Sequence, residues 1–397
     1  MKILMFTPYV PYPPNSGGQT RTFNLIKNLS KKHQITSLCF LREDQKEPDL
    51  RQLQKYCEGV EIVKRKKAWR SLTKIFMTGI SPYPYLANMY LYPSVKSSLQ
   101  KLLAQNKYDL IHVETYYIMP NIPPTDVPIL LAEQTIEYLV YQHFAETTSI
   151  WPLKPLLYAD VLKHKYWEKY YWVKANKVVA MSEADLKVMK QIVPNLDADI
   201  VPNGIDREFF SAEIKVSLSP HPTFLFVGQF NWLQNREAVE ILAQRIWPII
   251  KEMLPGANLW IVGRNPTKTI QDFSSSHVKV SGDVEDIRTA YQSSDCLIAP
   301  LYGGGGTRYK TLEAMASRLP VVSTDIGVEG LSVKNGYHAL VSSDPEKLAQ
   351  LAVEVVKNKV LAKKLAKNAL ALVTKNFDWQ TITNKLEKIY EQTAGQS

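Results

Sequence analysis

Residues 303–325, GGGGTRYKTLEAMASRLPVVSTD, concentrate the chemistry of this chain. Four glycines, Gly303 to Gly306, follow an apolar strand candidate, Cys296–Leu301, and lead into a helix expected to begin near Thr307. Without side chains, such a turn lets the backbone approach a ligand closely, and the free N–H groups of the following helix favour an anion or a hydroxyl. Arg308 and Lys310 add two cations suited to a diphosphate. Glu313 adds a carboxylate able to accept from ribose hydroxyls. The same string also suits an ordinary loop and helix cap in an α/β domain.

A second glycine pair, Gly17-Gly18, follows the first strand candidate through a loop rich in proline and glycine, Pro8–Gly18. His112 ends an apolar strand in DLIHVE, where a satisfied histidine and a cleft residue are both open readings. Asp197-Ala198-Asp199 is a D-x-D string, but no second ligand cluster accompanies it, so no metal is expected. No Walker A loop, H-E-x-x-H or Cys/His zinc spacing is present. Ser182 in MSEAD reads as a helix N-cap.

The elements that must position these residues alternate. Strand candidates in the first half are Lys2–Thr7, Ile35–Phe40, Leu110–Val113, Ile129–Ala132 and Lys177–Met181, with helices such as Ser94–Gln105 between them. In the second half, strands are expected at Thr223–Val227, Asn258–Val262, Val278–Ser281, Cys296–Leu301 and Val321–Ser323. Helices are expected at Arg236–Met253, Asp286–Gln292, Thr307–Ser317, Pro345–Asn358 and Val360–Asn376. This alternation argues for parallel sheets wrapped by helices. A chain of 397 residues exceeds one ordinary core, so two domains of roughly 180–200 residues follow. The border falls within Asn203–Pro222, giving domains 1–205 and 206–376 and a last helix, 377–397, that could return to the first domain. Asp378 is its candidate N-cap.

Composition sets the remaining bounds. Hydrophobic residues make up 45% and charged residues 22%, the balance of a globular protein. No apolar run reaches the roughly 18–20 residues of a membrane span. MKILMFTPYVPYPP reads as a first strand and not a signal peptide. Three scattered cysteines, Cys39, Cys57 and Cys296, point to a reducing, cytoplasmic setting. The formal charge of +10, from 48 basic and 38 acidic residues, calls for an anionic partner: an activated nucleotide substrate, an acidic membrane or nucleic acid. The charge is spread along the chain with no nucleic-acid motif, which argues against the last. The densest basic run, Lys64-Arg65-Lys66-Lys67 with Trp69 and Arg70, reads as solvated surface, with a membrane-surface role the sharper option. Tyr141–Lys177 mixes Trp, Tyr and Lys, a composition fit either for core packing with a solvated rim or for lipid headgroups.

The chain resembles the retaining family-4 glycosyltransferases of GT-B fold along nearly its whole length. The matching pieces are PPNSGGQTRTFNL, LLAEQTIEYL, MSEAD at Met181–Asp185, VPNGID at Val201–Asp206, FVGQF at Phe226–Phe230, IVGRNP at Ile261–Pro266, and GGGGTRYKTLEAMASRLPVVSTDIGVEGL. The resemblance implies an α/β, GT-B architecture with two Rossmann-like domains facing across a cleft. It implies transfer of a sugar from a nucleotide-diphosphate donor, UDP- or GDP-linked, to a glycan or lipid-linked acceptor, without metal. It makes Glu313 the ribose ligand, as the second glutamate of the family's E-x7-E motif. Gly306 and Thr307 would then offer amides to the donor, and Gly17-Gly18 would approach its phosphates.

Departures from the family pattern shape the expectation. Gly305 stands at the first E-x7-E position, as in a subgroup with a GGGTR-type loop, and Gln134 replaces a histidine usually placed near the reacting sugar. Glutamine cannot take a proton at neutral pH. A same-face reaction, in which the leaving phosphate takes the acceptor proton, does not require that base. Neighbouring Glu133 and Glu137 are most simply structural. Gln229 stands where relatives carry an arginine, Arg236 lies near the position of a family lysine, and Arg308 and Lys310 are candidates to supply the missing charge. The expected enzyme builds a surface polysaccharide or other glycoconjugate in the cytoplasm, with peripheral contact to an anionic membrane an option. A nucleotide-sugar epimerase and a catalytically weak subunit supporting a partner transferase are the alternatives.

Overall fold

The computed structural model describes residues 1–66, 79–148, 151–216, 219–303 and 308–395. The chain divides into two compact units, Met1–Asn203 with Ile382–Ser397, and Gly204–Thr381. Each is built on one parallel sheet.

In the first unit the strands are β1 (Lys2–Thr7), β2 (Gln34–Arg42), β3 (Gly59–Arg65), β4 (Leu110–Glu114), β5 (Ile129–Glu133), β6 (Lys177–Ala180) and β7 (Ala198–Ile200). Their spatial order is β3-β2-β1-β4-β5-β6-β7, with every neighbouring pair parallel. Central strands covered on both faces must be apolar throughout. Ile3, Leu4, Met5 and Phe6 of β1 and Leu110, Ile111 and Val113 of β4 are accordingly buried. β3 was not anticipated from sequence. It is an edge strand in which only Val63 is buried, so its apolar signal is weak. Lys64, on this strand, pairs with Glu47 at the surface, and Arg65 lies over the ring of Tyr90. Lys67, Trp69 and Arg70 of the basic run lie outside the described residues.

The second unit contains β8 (Thr223–Val227), β9 (Asn258–Val262), β10 (Val278–Ser281), β11 (Cys296–Ala299), β12 (Val321–Ser323) and β13 (Leu340–Val341) in the order β10-β9-β8-β11-β12-β13. The helix expected at Arg236–Met253 starts earlier, at Leu233, and is interrupted by a π-type turn over Leu242–Ile246. Pro248 follows that turn. A proline lacks the N–H for the regular ladder, and the wider turn absorbs the mismatch.

Four helices of the first unit matter below: α1 (Gly17–Leu29), α2 (Glu137–Thr147), α3 (Lys154–Lys174) and α4 (Glu183–Ile192). Ser182 caps α4 by accepting from Asp185 N at 3.1 Å. In the second unit, α5 (Leu233–Ile241) follows β8 and α6 (Tyr309–Ala316) follows β11. The last helix, α7 (Trp379–Thr393), is joined to the first unit through Glu387. Its carboxylate meets Lys32 at 2.8 Å and His33 at 2.9 Å. All three cysteines are buried and free, and burial pushes their thiols well up.

In both sheets the chain winds outward in one direction and then in the other from a central pair, β1/β4 and β8/β11. Crevices beyond the carboxyl ends of such pairs are where doubly wound sheets take ligands. Gly17-Gly18 follows β1 and Gly303 follows β11. The chain pattern thus delivers each glycine motif to a reversal point.

Candidate active site

At the reversal point of the second unit, α6 carries the residues of the tetraglycine motif. The Glu313 carboxylate is half-buried and accepts from the Tyr291 hydroxyl at 2.6 Å. Burial raises its proton affinity, against the pull of Tyr291 and Lys310. Lys310 Nζ donates to Asn235 Oδ1 at 2.7 Å and lies 4.3 Å from the centre of the Phe226 ring. Burial first, and then the nearby Arg308 charge, lower its pKa to about 7, while Glu313 opposes them. Arg308, itself buried, donates to Glu329 Oε2 at 3.1 Å, and desolvation lowers its proton affinity. Gly305, Gly306 and Thr307 lie outside the described residues.

The cation from α6 thus reaches across to the start of α5, beyond the end of β8. Asn235 Nδ2 donates to the Gln229 carbonyl at 2.8 Å while its Oδ1 receives Lys310, so one side chain joins the β8 turn to α6. Sequence reasoning named Arg236. Its guanidinium donates to the carbonyls of Phe230 and Asn231, at 3.2 and 3.5 Å. Asn235 was missed. Its only sequence signal is a polar residue in the first turn after the FVG glycine, which is common. Beside it, a Cβ on Gly263 would stand 1.6 Å from the Gly228 carbonyl oxygen, so the turns after β8 and β9 touch through backbone alone.

The first unit assembles Gly18, Tyr9 and Gln134. A Cβ at Gly18 would lie 2.6 Å from Tyr9 Oη and 2.7 Å from Gln134 Oε1, so any side chain there would have to displace the Tyr9 hydroxyl or the Gln134 amide. Gly17 opens the same helix, with Ser16 as its N-cap. Gln134 Nε2 donates to Tyr9 Oη at 2.7 Å and to Glu114 Oε2 at 2.6 Å. With its amide hydrogens so engaged, Gln134 presents Oε1, an acceptor, toward Gly18. Tyr9 in turn meets Thr22 Oγ1 at 3.1 Å.

Behind Gln134 lies a fully buried ionic network that the sequence reading did not identify. Glu114 Oε1 stands 3.6 Å from Arg21 Nε and 3.2 Å from His112 Nε2, and the other ring nitrogen of His112 bonds the hydroxyl of Tyr390. Burial would drive the Glu114 carboxyl up, but Arg21, His112 and Gln134 together outweigh it and hold it below the usual range. A glutamate closing an otherwise apolar central strand was the available signal, since such a charge demands a buried partner. His112 therefore belongs to this network. Glu133 is also buried and accepts from Trp172 Nε1 at 2.9 Å and from Tyr116 N at 3.4 Å. Glu137 opens α2, and burial raises it to about 7. Asp197 and Asp199 both pair with Lys177, so the D-x-D string is an ion-pair cluster at the β6/β7 edge.

Comparison with known proteins identifies what these units are. The model of the glycosyl transferases group 1 matches residues 221–358, and that of Glycosyltransferase Family 4 matches residues 15–209. An uncharacterized 44.6 kDa protein of the cps region of Klebsiella pneumoniae is 22% identical, with 98% of this chain and 99% of that one covered. The phosphatidyl-myo-inositol mannosyltransferase of Mycobacterium leprae is 25% identical, with 79% and 82% covered. Among solved structures, sucrose-phosphate synthase from Thermosynechococcus elongatus superposes with a TM-score of 0.73 at 16% identity, over 100% of both chains. Anabaena HepE in complex with UDP gives 0.67 at 16% identity, over 99% of this chain and 100% of that one. With a family match on each unit and the shared architecture, the chain is a family-4 glycosyltransferase of GT-B fold.

Proposed function

We propose that this glycosyltransferase takes its sugar from a nucleoside-diphosphate donor, UDP- or GDP-linked, retains the anomeric configuration and needs no metal ion. The observation that carries the reading is the Glu313–Tyr291 and Lys310–Asn235 pairing at the β8/β11 reversal point. A carboxylate held for a ribose diol and a half-buried cation lie on one helix, directly after a glycine run. In this reading Glu313 accepts from the ribose, Lys310 and Arg308 balance the diphosphate, and Gly305, Gly306 and Thr307 offer backbone to the donor. Arg236, at the start of α5, is assigned to the same donor-side edge. Gly17-Gly18 gives the close backbone approach a phosphate needs. HepE has been solved with UDP and with UDP-glucose, which supports the donor class.

Chemically, the anomeric carbon–phosphate oxygen bond breaks and a bond to the acceptor hydroxyl oxygen forms on the same face. The hydroxyl proton passes to the departing phosphate oxygen. Gln134 then acts by hydrogen bonding and not as a base, holding a sugar hydroxyl through Oε1. Lys310 and Arg308 stabilise the charge that grows on the leaving diphosphate. The acceptor is assigned as a glycan or lipid-linked saccharide, with the protein peripheral to an anionic membrane on the cytoplasmic side. Relatives named for phosphatidyl-myo-inositol and lipopolysaccharide-core mannosyl transfer support that class.

Thermal shift with UDP, GDP, ADP and their sugar conjugates, with and without EDTA, tests the donor. A ligand at a hundredfold its Kd should stabilise the native state by about 2.7 kcal/mol. No shift with any nucleotide would end the reading, and a shift abolished by EDTA would end its metal-free form. Tyr291→Phe should weaken donor binding about tenfold, the value of a hydrogen bond to a charged group, and leave kcat nearly unchanged. Titration calorimetry showing equal affinity would separate Tyr291 from the site.

A further inference from the structure

Helix α3 buries one face, through Val161, His164, Glu168, Tyr171 and Trp172, and leaves the opposite face apolar and uncovered. Leu162 is 68% exposed, Tyr166 62% and Val173 62%, and their spacing of four and seven residues places them on one stripe. Leu156 at 63%, Trp151 at 77% and Phe144, near the end of α2, at 55% are exposed apolar residues of the same helices and their connection. Isolated exposed apolar residues are ordinary, but a contiguous set along a helix marks an interaction surface.

The charge pattern selects the partner. Helix α3 carries five lysines, Lys154, Lys163, Lys165, Lys169 and Lys174, against two acids, Asp160 and Glu168. Neither acid is offered to a partner. Glu168 is buried and accepts from Glu137 N at 2.6 Å and Tyr138 N at 3.1 Å, while Asp160 accepts from Tyr85 N and lies beside His164. Between α3 and α4 a concavity of about 430 Å³ is lined by Leu162, Lys165, Tyr166, Lys169, Gln191 and Ile192, with two cations, apolar walls and no carboxylate. A second copy of this face would set lysine against lysine. Phosphate headgroups over acyl chains satisfy both the charge and the apolar stripe. Tyr and Trp sit at headgroup depth, and lysine stems lie along apolar surface with their ammonium groups outward. Among the described residues no helix is long and apolar enough to cross a membrane, so the contact is one of lying on the bilayer.

We propose that the outer face of α3, with the end of α2 and the α3/α4 concavity, docks on an anionic lipid bilayer, Lys165 and Lys169 meeting headgroup phosphates. The proposal deepens the functional reading by naming the surface through which a membrane-borne acceptor is met. It is tested on the full chain by co-sedimentation with phosphatidylcholine vesicles, with and without phosphatidylglycerol. The wild type should pellet with the anionic vesicles at low salt, and salt should release it. Lys165→Glu with Lys169→Glu, and separately Leu162→Ser with Tyr166→Ser, should each weaken partitioning at least tenfold. Both variants should retain the nucleotide thermal shift of the wild type, which shows that they fold. Wild-type protein left in the supernatant, or variants that pellet equally, would overturn the proposal. So would loss of a vesicle-free dimer in the Leu162/Tyr166 variant, which would give the face to a second copy. Vesicle binding without any nucleotide shift would leave the docking face standing and remove the donor reading alone.

Discussion

Lys310→Ala is expected to lower kcat/KM for the sugar donor by about 10²–10³-fold, the cost of losing one preorganised contact to a developing negative charge. The expectation follows from where Lys310 sits and not merely from its being basic. Its ammonium is half-buried beside Asn235 and the Phe226 ring, in a setting that lowers its pKa to about 7. Such a group gains most when a diphosphate arrives, because the anion supplies the compensation that burial withholds. Donor affinity should therefore depend on pH in a definite direction. The protonated lysine binds the diphosphate, so affinity is full below pH 7 and falls as pH rises through 7. The fall is up to about tenfold per pH unit until the lysine of the complex itself titrates. Lys310→Arg, charged at every accessible pH, should flatten this dependence even if it lowers affinity overall. Donor titrations between pH 6 and 9 decide the matter. A wild-type profile without slope, or one unchanged by the arginine, would show that Lys310 does not meet the phosphates.

The division between what the residues disclose and what they conceal is physical. Strands such as Lys2–Thr7 and Thr223–Val227 are legible because a parallel sheet covered on both faces needs unbroken apolar runs. Edge strand Gly59–Arg65 is not, because solvent on one side tolerates Glu61 and Lys64. Glu313 and Lys310 are legible through their place on the helix after the glycines. Their partners are not: Asn235 lies 75 residues from Lys310, and Tyr291 22 residues from Glu313. Choosing Asn235 over Arg236 is beyond any periodicity argument. Adjacent helix residues differ by about 100° in direction, and only the position of α6 decides which meets Lys310. Gln134 was singled out as a departure at a familiar place. What it does there was hidden, since Tyr9 and Glu114, which absorb its amide hydrogens, come from two other strand ends.

The largest stability effect is expected at Arg21, one turn beyond Gly17 on α1. Arg21 is fully buried, pairs with Glu114 and directs Nη1 to the carbonyls of Val201 and Pro202 and to Asn203 Oδ1, at 3.1, 3.0 and 3.2 Å. Arg21→Ala takes the guanidinium from a buried carboxylate that keeps only His112 and the Gln134 amide, and removes one donor from three acceptors, a change of about 3–5 kcal/mol. For a unit of this size that lowers its melting temperature by roughly 6–20 °C. The pH dependence separates this cause from a simple packing loss. In the wild type the Glu114 carboxyl is held below 4.5, so its contribution is present above that pH and is lost as pH falls through the folded-state value. Without Arg21 the largest pull against burial is gone, and the carboxyl moves up. The variant should therefore be penalised increasingly as pH rises from 5 to 8. Glu114→Gln added to Arg21→Ala removes the stranded charge and should recover part of the loss at pH 8, with little change at pH 5. Calorimetry of the two variants at both pH values is the measurement. A deficit independent of pH, or no rescue by the glutamine, would mean that Arg21 stabilises the fold by filling space rather than by holding Glu114 ionised beneath Gln134.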